Sequence, residues 1–298
     1  MQMSSIQFFA YVEGINVDRY VHGNNCDRAL EGLNVEYRIS AAVELPGEGG
    51  GKSRLVAYYE HLRGGSSLVT DFKGKATVVA FFMDKDIDDR TGLAVSSDHV
   101  FYTEFYDVEN HVFHEGDVAK AVSAGCSLPP NWCRGEFGKR GEWQQSAAAR
   151  WKEWVRLCFT AKVLGLSGEA NYGRPSPING KPHSASDPDL TSAYERKSHA
   201  AARSASISCA NWNAVRAEVD ASYATGAWDK TFKGKWYGHI LQSQVLANCP
   251  DKVDEKHLQS VLVMQVAATM TFDSPWAIST QDKIRNLLSV SGVIDDLP

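Results

Sequence analysis

The chain has 298 residues, of which 43% are hydrophobic and 22% charged, and its formal net charge is −5. This composition predicts one large folded domain or two modest ones, and the acidic balance argues against a protein that coats nucleic acid non-specifically. No apolar run approaches the roughly 20 residues of a membrane span and the N-terminus lacks the basic start of a signal peptide, so we expect a cytoplasmic protein without membrane contact.

The first 118 residues alternate between strand and helix patterns. Strands are predicted over residues 7–12, 35–45, 77–83 and 99–105, and helices over residues 16–30 and 53–62. The third of these strands is apolar on both faces, which is typical of a central parallel strand. Helices that connect such strands imply a parallel sheet. We therefore predict an α/β catalytic domain over residues 1–118, with a mostly parallel sheet flanked by helices.

The remainder of the chain has a different pattern. Residues 119–142 are rich in Gly, Pro, Cys and charge and are interpreted as a connector, followed by a helical C-terminal region over residues 143–298 that binds substrate or a partner. Helices are predicted over residues 144–164, 189–204, 208–224, 233–247, 253–271 and 279–290. The six scattered cysteines form no CxxC pair and are expected to be free, buried thiols. The tryptophans of this half are expected to pack between helices.

Acidic residues follow two of the predicted strands directly. Glu13-Gly14 follows the first strand, and Asp84-Lys85-Asp86 follows the apolar run over residues 77–83, which is the third strand. If that strand continues through both aspartates, their side chains face the same side. Ligands bind beyond the carboxyl ends of parallel strands. We therefore expect the Glu13 and Asp84 carboxyls to lie within about 10 Å of each other and to bind a cation together. Carboxylate oxygens favour Mg²⁺ or Mn²⁺ over zinc, and such a site usually serves phosphate chemistry.

Three further residues are candidates for the same site. Asp18 is either a metal ligand or a carboxylate that stabilises the start of the first helix. Glu109 either adds another oxygen ligand or caps the helix that follows it. Lys235, in a Lys-Gly-Lys sequence at the head of a predicted helix, is a candidate to neutralise charge that develops on a phosphate.

Two other motifs suggest different chemistry. Residues 47–53 read Gly-Glu-Gly-Gly-Gly-Lys-Ser, but Pro46 stands where a phosphate-binding loop needs its first glycine. This segment is either a weak ATP-binding loop or a flexible connection between strand and helix. His111 and His114 have a spacing that fits a metal, but no cysteine or third histidine lies nearby in the sequence to complete a zinc site.

A strand that ends in Glu-Gly and a later strand that ends in Asp-x-Asp resemble the Toprim metal core of topoisomerases, DnaG-type primases and OLD nucleases. The chain is also similar to the DUF4435 family in its Val12-Glu13-Gly14 opening, its Asp84-x-Asp86 strand end, its Glu109-Asn110 pair and its late Gly234-Lys235. One departure is that the aspartate after Glu-Gly, here Asp18, usually comes one residue sooner in the family.

This resemblance implies a metal-dependent endonuclease in which Glu13, Asp84 and Asp86 form the metal site. Toprim-type DUF4435 proteins include nuclease effectors of the PARIS anti-phage defence system, which work beside an ABC-type ATPase and cleave tRNA. It therefore implies a nucleic-acid substrate, RNA such as tRNA or else DNA, and an ATPase partner. An acidic effector of this kind is expected to be held by a larger assembly or to act as a homodimer.

Two alternatives remain open from the sequence. A topoisomerase needs a separate domain with a catalytic tyrosine, for which 298 residues leave little room, and a primase would carry a zinc module that the cysteine spacing does not supply. The other alternative is a regulatory or interaction subunit, whose acidic pocket binds a metal or a nucleotide without turnover beside an ATPase.

Overall fold

The computed structural model describes residues 6–72, 74–139, 141–166, 170–173, 178, 180, 183–185, 187–249 and 252–294. Its strands are β1 Ile6–Val12, β2 Glu36–Ala41, β3 Val69–Phe72, β4 Lys75–Met83 and β5 Val100–Tyr102. Its helices are α1 Val17–Leu30, α2 Gly51–Gly64, α3 Asp88–Thr91, α4 Val108–Glu115, α5 Val118–Cys126, α6 Pro130–Phe137, α7 Glu142–Arg150, α8 Lys152–Val163, α9 Pro188–Ser204, α10 Cys209–Ala224, α11 Lys235–Asn248, α12 Leu258–Ala267 and α13 Pro275–Val290.

These elements form two compact units. The first, which we call the sheet unit, comprises the described residues of 1–84, 95–104 and 271–298. The second, which we call the helical unit, comprises those of 85–94 and 105–270. This division differs from the predicted boundaries at residues 118 and 142, because α13 packs with α1 in the sheet unit although it lies near the other end of the sequence.

The sheet unit is built on a five-stranded, mostly parallel sheet. β1 lies between β2 and β4 and is parallel to both. The other edge of β4 is shared: β3 pairs antiparallel with its first half, and β5 pairs parallel with its last three residues. The chain is therefore an α/β protein with a sheet flanked by helices and a helical C-terminal region, which confirms the predicted fold class.

Both faces of the sheet are buried, as the apolar runs predict. Even-numbered residues of β1 and β4, such as Ala10 and Phe82, pack with α1 and with Ile284, Leu287 and Leu288 of α13. Odd-numbered residues, such as Phe81 and Met83, pack with Leu55 and Tyr59 of α2. This alternation follows from the two-residue period of a strand, and it makes β4 apolar on both sides.

The helical unit contains α3 to α12. Segment 119–142, predicted as a connector, carries most of α5, all of α6 and the first residue of α7. The predicted helix over residues 144–164 is two helices, because the chain turns at Trp151 between α7 and α8. Trp151, Trp154 and Trp212 are almost completely buried, as expected for tryptophans that pack between helices.

All six cysteines are free thiols, as predicted, but the expected burial holds only for Cys26, Cys133 and Cys158. Cys126 and Cys249 are partly buried, and Cys209 is exposed. Within the described residues, no helix combines the length and the apolar character that crossing a membrane requires.

Candidate functional site

The carboxyl ends of β1 and β4 bring Glu13 and Asp84 together in the sheet unit. The two strands are adjacent and parallel, with Val12 opposite Phe82, so each acidic residue leaves the sheet at the same edge. The backbone N–H of Asp84 donates a hydrogen bond of 2.8 Å to Oε1 of Glu13. Because an aspartate Cγ lies within about 4 Å of its own backbone nitrogen, the carboxyl carbon of Asp84 lies within roughly 7 Å of that oxygen. This proximity meets the distance that the sequence analysis required.

The Asp84 side chain is only 3% exposed. Burial of an ionised carboxylate is costly unless it is hydrogen-bonded or paired with positive charge. The Glu13 carboxylate can accept several hydrogen bonds or metal contacts, and the Asp84 N–H uses only one of these positions. The contact therefore fixes the orientation of the Glu13 carboxylate at this edge of the sheet.

Asp18 lies close to the Glu-Gly turn. It stands in the first turn of α1 and is 6% exposed. A Cβ atom added to Gly14 would lie 2.5 Å from Oδ2 of Asp18, so only glycine lets the carboxylate approach the backbone this closely. The structure thus places Asp18 against the residue that follows Glu13.

The start of α2 also packs on Glu13. A Cβ atom on Gly51, the first residue of α2, would lie 3.0 Å from the Glu13 carbonyl oxygen and 3.3 Å from its Cβ. The guanidinium of Arg54 donates to the carbonyl oxygens of Ala42 and Leu45 and so ties the preceding segment to α2. The backbone N–H groups of a helix N-terminus favour an anion. Here they lie beside the end of the sheet that carries Glu13 and Asp84, which we call the acidic edge.

Asp86 is placed differently from the prediction. β4 ends at Met83, and Asp86 adopts a left-handed backbone conformation with φ of +50°. Its N–H donates to the carbonyl oxygen of Tyr106 at 2.6 Å. The strand therefore does not continue through both aspartates, and the expectation that alternation makes their side chains face one side is wrong. Asp86 belongs to the helical unit, whereas Asp84 is in the sheet unit.

Glu109 is not the cap of the helix that follows β5. The N-cap of α4 is Asp107, whose side chain accepts the Asn110 N–H, while the Asn110 side chain accepts the Asp107 N–H. Glu109 lies in the first turn of α4 and is 8% exposed. Asp107 takes the capping position because it directly precedes the first helical residue.

The Gly-Lys and Glu-Asn motifs meet in the helical unit. The N–H of Gly234 donates to Oδ1 of Asn110 at 3.1 Å, and the N–H of Lys235 donates to Oδ2 of Asp107 at 3.2 Å. A Cβ on Gly234 would lie 2.2 Å from Oδ1 of Asp107, so a larger residue does not fit there. The side chain of Lys235 is exposed. The backbone at the start of α11 is therefore held by Asp107 and Asn110.

Asp229 completes a buried polar cluster that the sequence analysis missed. Its Oδ1 accepts hydrogen bonds of 2.9 Å from Asn110 Nδ2 and from the Tyr237 hydroxyl, and its Oδ2 lies 3.4 Å from Nδ1 of His114. Burial and the Asp229 charge raise the pKa of Tyr237 well above its usual value. The local sequence Trp-Asp-Lys gives no periodic or motif signal for this role.

His111 and His114 do not behave as a pair of ligands for one zinc ion. His111 is fully buried, stacks on Phe105 and lies 3.7 Å from Oε1 of Glu115. His114 is half exposed and faces Asp229. Both imidazoles contact the Phe105 ring, but each lies near a different carboxylate.

Across the residues that the structure describes, no three His, Cys, Asp or Glu side chains form a metal-binding group. The sheet unit instead offers the Glu13–Asp84 pair, with Asp18 beside the turn. Mg²⁺ typically keeps several waters and binds through one or two carboxylates together with substrate phosphates. The donor set at this edge, all hard oxygen, fits that mode of binding and does not fit a closed zinc centre.

A cavity of about 640 Å³ in the sheet unit contains none of the predicted site residues; it lies between residues 97–101 and α13. No protein-family model matches the sequence, and comparison with curated proteins finds no match either. Function must therefore be inferred from the residues themselves.

Proposed function

We propose that this protein is a metal-dependent nuclease of the Toprim type, which cleaves a phosphodiester in RNA such as tRNA or in DNA. The observation that carries the proposal is the contact between Glu13 and Asp84, which joins acidic residues 71 positions apart at one edge of a parallel sheet. Mg²⁺ or Mn²⁺ is the cofactor that this oxygen-rich edge suits best.

Glu13 and Asp84 would hold the cation, with Asp18, which lies against the Glu-Gly turn of the same unit, as a further proposed ligand. When bound, a divalent cation lowers the pKa of water and withdraws charge from a phosphate. Glu13 is also proposed as a general base or acid, because the Asp84 N–H orients its carboxylate at the end of the sheet. The N-terminus of α2, packed on Glu13, favours a phosphate at this edge. Lys235 is proposed to neutralise charge on substrate.

The resemblance to the DUF4435 family extends the proposal to a biological role. We propose a toxic effector of an anti-phage defence system, acting in the cytoplasm under the control of an ABC-type ATPase partner. The meeting of Asn110 with Gly234, two of the motif residues that carry the resemblance, supports a common architecture around them.

A second candidate function is a non-catalytic subunit that binds a metal or a nucleotide beside an ATPase. The observation that favours it is that the part of the chain described by the structure contains no group of three potential metal ligands. A site of two carboxylates can hold a cation without the geometry that turnover requires.

Cleavage of labelled tRNA, plasmid and single-stranded DNA with Mg²⁺, Mn²⁺ or EDTA tests the proposal. We expect metal-dependent cleavage of at least one substrate, reduced at least about a hundredfold in Glu13→Ala and in Asp84→Asn, because metal-based stabilisation of the transition state is worth several kcal/mol. Glu31→Gln, which changes an exposed carboxylate after α1, is the matched control and should cleave like wild type. Undiminished cleavage by a folded Glu13→Ala/Asp84→Asn double variant would overturn the assignment.

Metal binding can be followed without activity. Titration of Mn²⁺ into the full chain, read by the paramagnetic resonance of the free ion, should give a site that Glu13→Ala weakens at least tenfold. Metal binding that depends on Glu13 in a protein inactive on all three substrates would favour the non-catalytic subunit. Equal Mn²⁺ affinity in wild type and Glu13→Ala would contradict a metal site at Glu13, both for the nuclease and for the non-catalytic subunit.

A further inference from the structure

The helical unit contains a cavity of about 310 Å³ beside the loop that carries Asp86. Residues 85–90, the end of α10 and the segment after it form its walls. The side chains that line it include Lys85, Ile87, Arg90, Phe159, Ala221 and Lys230. This volume is at the lower end of the range of about 300–1,000 Å³ found for small-molecule sites, so it suits a ligand of about the size of one nucleotide.

The walls of this cavity carry three cations and two carboxylates. Lys85 pairs with Asp89 at 3.3 Å, and Arg90 pairs with Glu218. These four side chains are between 35% and 49% exposed, so each ion pair is screened by water and contributes little stability. The third cation, Lys230, is exposed on the same wall. In a chain with a net charge of −5, this local excess of positive charge favours an anionic ligand.

Part of the cavity lining is apolar. Ile87 and Phe159 are buried, whereas Ala221 and Ala227 keep small side chains accessible to solvent. A lining that combines apolar side chains with cations matches a molecule that has a flat, weakly polar ring at one end and a negative charge at the other. A nucleotide has this combination, since its base can lie on apolar side chains while Lys and Arg contact its phosphate.

The cavity is next to a predicted site residue in the sequence, because Lys85 and Ile87, which line it, are on either side of Asp86. We propose that this cavity is a nucleotide subsite, which holds one nucleotide of the substrate strand through its phosphate at Lys85, Arg90 and Lys230 and its base against the accessible side chains of Ala221 and Ala227. This inference rests on the proposed nuclease function, because it assigns the cavity to the substrate strand.

Binding measured without cleavage tests the subsite. Fluorescence anisotropy of a labelled eight-nucleotide RNA and of the matching DNA, in EDTA and with the full chain, gives the Kd. Lys230→Glu reverses a charge, and Ala221→Trp fills the cavity from an exposed helical position. We expect each variant to raise the Kd at least tenfold, and unlabelled AMP or UMP to compete with the strand in wild type but not in Ala221→Trp.

One control variant separates the subsite from general charge effects. Lys256→Glu reverses an exposed charge outside the cavity and should bind the strand with the wild-type Kd. Wild-type affinity in both Lys230→Glu and Ala221→Trp, or no strand binding by wild-type protein, would overturn the inference. If the cavity variants lose binding while Glu13→Ala still cleaves, the subsite stands and the metal assignment fails.

Discussion

Asn110 holds together three separate stretches of the helical unit. It is fully buried, caps α4 together with Asp107, accepts the Gly234 N–H and donates to Asp229. Removal of such a side chain leaves buried donors and acceptors without partners, at a cost of about 1–3 kcal/mol each.

Asn110→Ala should therefore lower the free energy of unfolding by about 2–4 kcal/mol in urea denaturation. Asn213→Ala, which changes an exposed asparagine in α10, is the matched control and should stay within about 0.5 kcal/mol of wild type. Equal stability of the two variants would contradict a structural role for the buried cluster.

His239 gives the helical unit a predictable response to acid. Burial lowers the pKa of its imidazole, and the nearby Lys233 charge lowers that pKa further. The unfolded chain, in which a histidine has a pKa of about 6.5, therefore binds the proton more readily than the folded chain does. Above that pH the imidazole is neutral in both states, and below it protonation favours unfolding.

We expect His239→Gln to lose less stability than wild type between pH 7 and pH 5. Urea denaturation at several pH values across this range measures the difference. Parallel loss of stability in the two proteins would show that another group controls the acid response.

At the residue scale, the sequence predicted the contact between Glu13 and Asp84, but it predicted neither the turn at Asp86 nor the position of Asp229. Glu13 and Asp84 could be brought together because parallel neighbouring strands must end at the same edge. The turn at Asp86 could not be predicted, because aspartate tolerates both strand and left-handed conformations. Asp229 gave no signal because two of its side-chain partners, Asn110 and His114, lie more than a hundred residues away.

Among the helices, the junction between α4 and α12 leaves no room for a side chain at Gly116. An added Cβ would lie 2.4 Å from Cγ1 of Val266 and 2.6 Å from the Val112 carbonyl oxygen. Since backbone atoms cannot move aside as a long side chain can, an added methyl group must separate the two helices.

Gly116→Ala should lower the free energy of unfolding by about 1–3 kcal/mol or more. Gly135→Ala, at an exposed position of α6, would meet no atom within 4 Å and should be neutral or stabilising by up to about 1 kcal/mol. Thermal denaturation of both variants measures the contrast, and a stabilised Gly116→Ala protein would contradict this packing.

Elements with a strong apolar pattern were predicted well, and those formed by tertiary pairing were not. β4 and α1 lie close to their predicted ranges. β3 was missed because Val69–Phe72 is only four residues long and lies between Gly, Ser and Lys residues, so its strand conformation depends on antiparallel pairing with β4.

At the scale of the whole molecule, the sheet unit is discontinuous in sequence. Leu288 of α13 packs in the same core as Phe8 and Ala10 of β1, and Gln281 donates to Asn25 across 256 positions. No local pattern indicates which distant helix covers a sheet face, so the predicted boundary at residue 118 could not include α13.

Leu288→Ala should destabilise the sheet unit by about 2–5 kcal/mol, because it leaves a cavity in a core that is otherwise closed. Val290→Ala, on the same helix but 71% exposed, should change the free energy of unfolding by less than about 0.5 kcal/mol. Hydrogen exchange of β1 and β4 amides reports the loss locally; unchanged protection in Leu288→Ala would place α13 outside this core.

The late position of α13 also sets when the sheet unit can form during synthesis. A nascent chain that has reached residue 270 already contains all five strands that the structure describes, yet one face of their sheet still lacks Ile284, Leu287 and Leu288. The end of the sheet that carries Glu13 and Asp84 is therefore expected to become stably organised only after these residues emerge from the ribosome.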